Sequence, residues 1–138
     1  MNHTIQGLFD VSLVAQPTAE DASGAILGRR SIDKRYHGEL DATSRGEMLS
    51  AGSPQTGSAG YVAIEKVTGT LGGRRGSFYL QHSGTMSRGD HALQIIVIPD
   101  SGTDELVGLR GRMGIRIADG KHYYDFDYSL DPPQDQQD

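Results

Sequence analysis

The sequence predicts an all-β protein in which one antiparallel sheet of roughly eight strands closes into a barrel. Short alternating or apolar segments recur along the 138 residues, and turn-forming residues, among them many of the 19 glycines, separate them. No segment has the apolar spacing of a long helix. Because a sheet with this many strands must protect its edges, closure into a barrel is the expected solution.

Three strands are predicted in the first part of the chain. Residues 5–14 alternate imperfectly, and the polar segment 15–24 after them is predicted as a loop. Residues 26–36 interleave arginine and lysine with apolar residues, which indicates a strand with one solvated face. Residues 40–49 form the next strand, and segment 50–58, rich in Gly, Ser and Pro, is predicted as a loop.

Residues 60–84 are the most informative segment because their pattern predicts a β-hairpin. Strands 61–71 and 77–84 flank residues 73–76 (Gly-Arg-Arg-Gly), which we predict as the tight turn. Odd-numbered residues of the first strand then share a face with even-numbered residues of the second. Val62 and Ile64 fall on the outer face, where a second subunit would cover them. The inward set is Tyr61, Ala63, Glu65, Val67, Leu71, Phe78, Leu80 and His82.

Three further strands complete the predicted barrel. Residues 93–98 are continuously apolar and are followed by Pro99, which indicates a buried strand. Residues 112–117 and 122–130 alternate cleanly, and segment 100–109 between the strands has room for one helical turn. We therefore predict a single domain over residues 1–130 and a disordered polar tail over residues 131–138.

Composition argues against several classes of function. The chain has no cysteine, which excludes disulfides, thiolate nucleophiles and cysteine zinc sites, and its histidines lack metal-binding spacing. A net charge of −5 argues against nucleic-acid binding. No apolar run is long enough to span a membrane, and the N-terminus does not resemble a secretory signal. We therefore expect a cytoplasmic protein without nucleotide, flavin or metal.

Glu65 and His82 are the candidate acid/base pair, because the hairpin register places both on the inward face. Burial in an apolar pocket disfavours a charged carboxylate, which would suit proton transfer near neutrality. The alternative is a satisfied buried pair that only fixes the register of the barrel. Glu47 is a further inward candidate, depending on the register of its strand. The candidate ligand-binding residues are Tyr61, Glu47, Phe78, Leu80, Tyr124 and Tyr128.

Four segments, in this order, resemble a bacterial family of unknown function: GEML (46–49), GYVAIEKVTGTLGGRRGSFYLQHSGTM (60–86), PDSGTDELVGLRG (99–111) and DGKHYYDFDYSL (119–130). The resemblance implies a calycin-like barrel related to that of allene oxide cyclase, and a homo-oligomer, either dimer or trimer. Allene oxide cyclase holds an apolar substrate and guides its cyclisation with few polar groups. No catalytic motif of that enzyme aligns with this chain.

The expected function is to enclose a small, largely apolar, oxygen-bearing molecule. Glu65 and His82 would then promote its cofactor-free isomerisation or cyclisation. The alternative is a barrel that binds without reaction, or a structural oligomer whose own side chains fill the interior. A cavity that reaches solvent beside Glu65 would favour the enzyme, and a packed core in which Glu65 and His82 bond to each other would argue against it.

Overall fold

Eight antiparallel strands form a closed barrel in the computed structural model, which describes residues 2–18, 20, 21, 24, 25, 27–53 and 55–130. The strands are β1 (Asn2–Ala15), β2 (Glu20–Asp21), β3 (Gly24–Ala25), β4 (Gly28–Tyr36), β5 (Leu40–Ser53), β6 (Ser58–Leu71), β7 (Arg74–Ser87), β8 (Asp90–Val97), β9 (Leu109–Ala118) and β10 (Lys121–Leu130). Around the barrel the order is β1-β10-β9-β8-β7-β6-β5-β4, and β2 pairs with β3 separately.

The barrel confirms the predicted fold class, and each of the eight predicted strands overlaps one of its strands. The predicted loop at 50–58 is largely wrong, because β5 continues to Ser53 and β6 already begins at Ser58. The hydrogen bonds between paired strands are made by the backbone. A segment rich in Gly and Ser can therefore extend a hairpin although its side chains show no strand pattern. Part of the predicted loop 15–24 forms β2 and β3, while the predicted tail 131–138 lies outside the described residues.

The hairpin of β6 and β7 turns at Gly72 and Gly73, so the predicted turn at 73–76 is misplaced. Both glycines have positive φ, 57° and 83°, as a two-residue hairpin turn of this hand requires. Glu65 consequently pairs with Leu80, whereas the predicted turn would have paired it with Gly84. Since the two registers differ by an even number of residues, the predicted faces are nevertheless correct.

One end of the barrel is closed by the loop between β8 and β9. A single 3-10 turn (Asp104–Leu106) carries the buried Leu106 into the interior, where it packs over Gly76. The loop is tied to β7 because the Thr103 N–H donates to the Ser77 carbonyl (2.9 Å) and the Ser77 N–H donates to Thr103 Oγ1 (3.0 Å). The largest buried side chains are Tyr36, Tyr124, Phe78, Phe126, Leu40, Leu71, Leu80, Ile95, Leu106 and Leu109.

The opposite end, where β5 meets β6 and β7 meets β8, lacks such a cover among the described residues, and we call it the open end. Strand pairing places Leu13 opposite Ile32, Leu93 opposite Gly84, and Ile117 opposite His122. Directly paired residues share a face, so all three leucine and isoleucine side chains belong to the inner face. They are nevertheless 41%, 45% and 70% exposed, respectively.

Interior glycines make room for large inward side chains on the neighbouring strand. The direct pairs are Gly7 with Tyr124, Gly46 with Glu65, Gly84 with Tyr61, and Gly111 with Tyr128. In every pair, a Cβ atom added to the glycine would lie within 3.0 Å of its partner residue. This steric requirement accounts for part of the high glycine content.

Candidate functional site

Glu65 is the centre of a buried polar cluster, which we call the Glu65 cluster. Its Oε1 accepts hydrogen bonds from the Tyr36 hydroxyl (2.6 Å) and the Ser44 hydroxyl (2.8 Å). Its Oε2 accepts one from Lys34 Nζ (2.8 Å) and lies 2.6 Å from His82 Nε2. Glu65 is fully buried, and none of the other four residues is more than 8% exposed.

Four neighbouring strands assemble this cluster. Lys34 and Tyr36 come from β4, Ser44 from β5, Glu65 from β6 and His82 from β7. The space beside Glu65 exists because Gly46 is its direct partner on β5. A Cβ atom on that glycine would lie 2.6 Å from Glu65 Cα.

The electrostatics of the cluster hold Glu65 in its charged form. Burial pushes the pKa of Glu65 upward, but the hydrogen bond to His82 and the charge of Lys34 outweigh burial and lower the pKa to about 2. Burial and the charge of Glu65 raise the pKa of Tyr36, which therefore stays protonated. The shift is opposite to the raised pKa that burial alone was expected to give, and a catalytic role of Glu65 stays a prediction.

Tyr61 connects the Glu65 cluster to the open end of the barrel. Its hydroxyl lies 3.4 Å from His82 Nδ1, on the side of the imidazole opposite Glu65. Its ring packs across Gly84, where an added Cβ would overlap the ring. Tyr61 is only partly buried, and burial together with the charge of Glu65 raises its pKa. Tyr61 is thus the group through which the cluster meets solvent-accessible space.

That space is a pocket of about 340 Å³, which we call the Tyr61 pocket. It is formed by β5, β6, β7 and β8 at the open end. Strand pairing places most of its lining residues on the inner face of the sheet. Two of these, Met48 and Met86, have flexible side chains that adapt to the shape of a ligand. The inner-face lining includes Met48, Ala59, Tyr61, Met86, His91 and Leu93.

The structure brings together some of the predicted site residues and separates others. Glu65 and His82 are in direct contact, and Tyr61 joins them at the pocket. Phe78 and Leu80 face inward but are packed in the core, at 1% and 0% exposure. They therefore have no accessible surface to offer a ligand.

The two predicted tyrosines of β10 also lie outside the Tyr61 pocket. The Tyr124 hydroxyl donates to the His37 carbonyl (2.7 Å) and accepts from the Leu40 N–H (3.4 Å), so its polar atom is held by the loop between β4 and β5. Tyr128 is buried, and its ring lies 5.3 Å from that of Phe126. Both residues stabilise the closed half of the barrel.

Glu47 points outward, so its predicted inward position is wrong. Its side chain is 61% exposed and accepts a hydrogen bond from Arg29 Nε (2.7 Å). The reason is the register of β5, in which the alternating set that contains Ser44 and Met48 faces the interior. Glu47 belongs to the other set.

Sequence reasoning missed three members of the cluster: Lys34, Tyr36 and Ser44. Lys34 was assigned to a solvated face, although its even spacing from Ile32 and Tyr36 places it on their face. That spacing was a usable signal, whereas nothing in the sequence distinguished Ser44 from the many other serines. Lys34 Nζ also lies 5.1 Å from the centre of the Phe9 ring, a cation–π contact that helps to hold the ammonium in the interior.

The described residues contain no group of three or more His, Asp or Glu side chains that could hold a metal ion. Nor do they include a helix that is long and apolar enough to cross a membrane. The Glu65 cluster and Tyr61 together supply one ion pair, one imidazole, and phenolic and aliphatic hydroxyls.

The chain is similar to proteins whose function has not been determined. A crystal structure of a DUF3224-family protein of unknown function from Shewanella oneidensis MR-1 is 48% identical; the match covers 96% of this chain and 100% of that one, with a TM-score of 0.90. No curated protein matches the chain. The expected relationship to allene oxide cyclase stays a prediction. The family model described as "Protein of unknown function (DUF3224)" matches residues 5–128, so the chain belongs to the DUF3224 family.

Proposed function

We propose that the barrel binds a small, mainly apolar molecule in the Tyr61 pocket. The observation that carries this proposal is the asymmetry of the interior. At the closed end the inward apolar side chains are packed, whereas at the open end Leu13, Leu93 and Ile117 share the inner face and stay exposed. Of these three, Leu93 lines the Tyr61 pocket. Concave surfaces lined mainly by apolar side chains are typical of ligand sites.

The size of the pocket limits the ligand. A volume of about 340 Å³ lies near the lower end of the range of small-molecule sites, roughly 300–1,000 Å³. Tyr61 is the lining residue that contacts the Glu65 cluster, and Ser50, Thr85 and His91 are the other polar side chains of the lining. An apolar molecule with one oxygen-bearing group fits this description, in agreement with the ligand expected from the sequence.

Isomerisation or cyclisation through Glu65 is not part of the proposal. A carboxylate with a pKa of about 2 that is already in contact with Lys34, Tyr36, Ser44 and His82 has little tendency to accept a proton from a ligand. Side chains also fill the closed half of the barrel, as the structural alternative predicted. Ligand binding is therefore assigned to the open half only.

A pair of tryptophan variants tests the proposal. Ala59 faces the pocket, so Ala59→Trp should fill it without touching the Glu65 cluster. Lys66→Trp places the same side chain on the exposed outer face of the same strand, away from Val62 and Ile64, and serves as the matched control. With N-phenyl-1-naphthylamine as a fluorescent apolar probe, Ala59→Trp should weaken binding about tenfold or more, and Lys66→Trp should change it by less than about twofold. Absence of saturable binding to the wild type, or equal binding by Ala59→Trp, would contradict the proposal.

Native mass spectrometry of protein purified from its own cells would identify the natural ligand. A bound mass should be present in the wild type and reduced in Ala59→Trp. The same spectra report the oligomeric state, for which a dimer or trimer is expected from the sequence resemblance. Outer-face residues Val62 and Ile64, 54% and 49% exposed, are the positions that such an assembly should cover.

A further inference from the structure

We infer that the Tyr61 pocket selects molecules carrying a hydrogen-bond donor, such as an alcohol or a phenol, because His82 makes the Tyr61 hydroxyl an acceptor on the side that faces the pocket. This inference rests on the proposed binding function and adds the chemical class of the ligand. It follows from the position of one proton on His82.

Glu65 determines which nitrogen of His82 carries that proton. An ionised carboxylate can only accept hydrogen bonds. The contact of 2.6 Å between Glu65 Oε2 and His82 Nε2 therefore requires a proton on Nε2. In a neutral imidazole the other nitrogen, Nδ1, then has no proton, and its lone pair can accept a hydrogen bond. A carboxylate orients the catalytic histidine of serine proteases in the same way.

The charge count of the cluster favours the neutral imidazole. Lys34 already balances Glu65 at 2.8 Å, so a second proton on His82 would leave a net positive charge in the interior. Burial opposes such an uncompensated charge. The other groups around His82 do not offset it, since Tyr61 is a phenol and β8 presents the apolar Ile95 as the direct partner of His82.

The lone pair on His82 Nδ1 orients the hydroxyl of Tyr61. The hydroxyl lies 3.4 Å from Nδ1 and donates its proton there, in a long hydrogen bond. A phenol has a single proton, so once it is donated inward only lone pairs remain for the pocket. Burial raises the pKa of Tyr61, which keeps this proton on the phenol. A ligand hydroxyl or N–H can donate a hydrogen bond to the Tyr61 oxygen. A ligand that has only acceptors cannot, because its lone pairs would meet those of the Tyr61 oxygen.

Three probes of one shape test the selectivity. 2-Naphthol carries a donor, 2-methoxynaphthalene lacks it, and 2-acetylnaphthalene offers only a carbonyl acceptor. The affinity ratio of 2-naphthol to 2-methoxynaphthalene should be about five- to tenfold higher for the wild type than for Tyr61→Phe, as expected for one hydrogen bond. Tyr79→Phe, which removes a hydroxyl from the outer face of β7, is the matched control and should keep the wild-type ratio.

Each outcome has a distinct meaning. If both probes bind and the ratio is the same in the wild type and Tyr61→Phe, the selectivity is refuted while the pocket remains a binding site. A preference for 2-acetylnaphthalene that Tyr61→Phe abolishes would show the opposite orientation of the hydroxyl. If no probe binds saturably, both the proposed function and the inference fail.

The proton position can also be measured in the unmodified protein. Long-range ¹H–¹⁵N correlation spectra distinguish a protonated from an unprotonated imidazole nitrogen, and the chain has five histidines to resolve. His82→Gln assigns the signal by its loss. We expect the folded protein to carry a proton on Nε2 of His82 and none on Nδ1. A proton on Nδ1, or an imidazolium, would overturn the inference irrespective of any ligand.

Discussion

Replacement of Glu65 by glutamine removes the negative charge of the Glu65 cluster while keeping its shape. The pKa of Glu65 falls from the ordinary 4.5 to about 2 in the folded chain. Each pKa unit corresponds to about 1.4 kcal/mol, so ionisation of Glu65 contributes about 3 kcal/mol to the free energy of unfolding. The variant also leaves Lys34 buried without its counter-charge, and we expect a destabilisation of about 3–5 kcal/mol near neutral pH.

The dependence on pH identifies the source of this stability. Because the folded-state pKa of Glu65 is depressed, its contribution is fully present above the unfolded-state pKa and is lost as the pH falls from about 4.5 towards 2. By about pH 3 roughly 2 kcal/mol of it should be gone. Urea unfolding followed by far-UV circular dichroism, repeated between about pH 3 and pH 7, should show the gap between wild type and Glu65→Gln narrowing by that amount.

Two further variants separate the cluster from general effects of charge. Glu47→Gln removes an exposed carboxylate that pairs with Arg29, and it should cost less than about 1 kcal/mol. The double variant Lys34→Met/Glu65→Gln should recover part of the lost stability, because no unpaired charge is left in the interior. If Glu65→Gln kept the wild-type stability and the same pH dependence, Glu65 would not be an ionised, bonded carboxylate and the account of the cluster would be refuted.

Two other predictions concern packing. Gly84→Ala should displace the Tyr61 ring, destabilise the fold by about 1–3 kcal/mol and weaken probe binding. Gly114→Ala, whose added Cβ meets no atom within 4 Å, should leave probe affinity unchanged in the same fluorescence titration. Leu106→Ala should lower the free energy of urea unfolding by about 2–5 kcal/mol, because it leaves a cavity in the core. Val107→Ala, at the exposed neighbouring residue, should cost less than about 0.5 kcal/mol. Equal effects at the two positions would contradict the conclusion that Leu106 closes this end of the barrel.

The faces of the β6–β7 hairpin could be predicted because side chains alternate with a period of two. An error in the turn position shifts the partners along the strands, but an even shift leaves every residue on its face. Glu65 and His82 were therefore found together on the inner face although their turn was misplaced. The same property explains why Val62 and Ile64 were correctly placed outside.

The rest of the site depends on contacts that no local pattern encodes. Lys34 and Ser44 meet Glu65 across strand pairs whose register is set by the closing of the whole barrel. Glu47 was named as an inward candidate because the register of its strand, on which that position depends, could not be determined from the sequence. The exposed inner face at the open end could not be predicted for another reason. Leu93 and Ile117 follow the same alternating pattern as the buried residues of their strands. Their exposure follows from the three-dimensional arrangement, in which no described residue covers them at the open end.

The low pKa of Glu65 changes the role that its position suggests. A raised pKa would have suited Glu65 to exchange protons with a ligand, whereas the hydrogen bond to His82 and the charge of Lys34 lower its pKa. A permanently ionised carboxylate is instead a constant acceptor, and a constant acceptor holds His82 in one tautomer. That tautomer in turn orients the hydroxyl of Tyr61, a residue that lines the pocket. If the pocket binds a ligand as proposed, its selectivity is set by an ion pair two side chains away that the ligand does not contact.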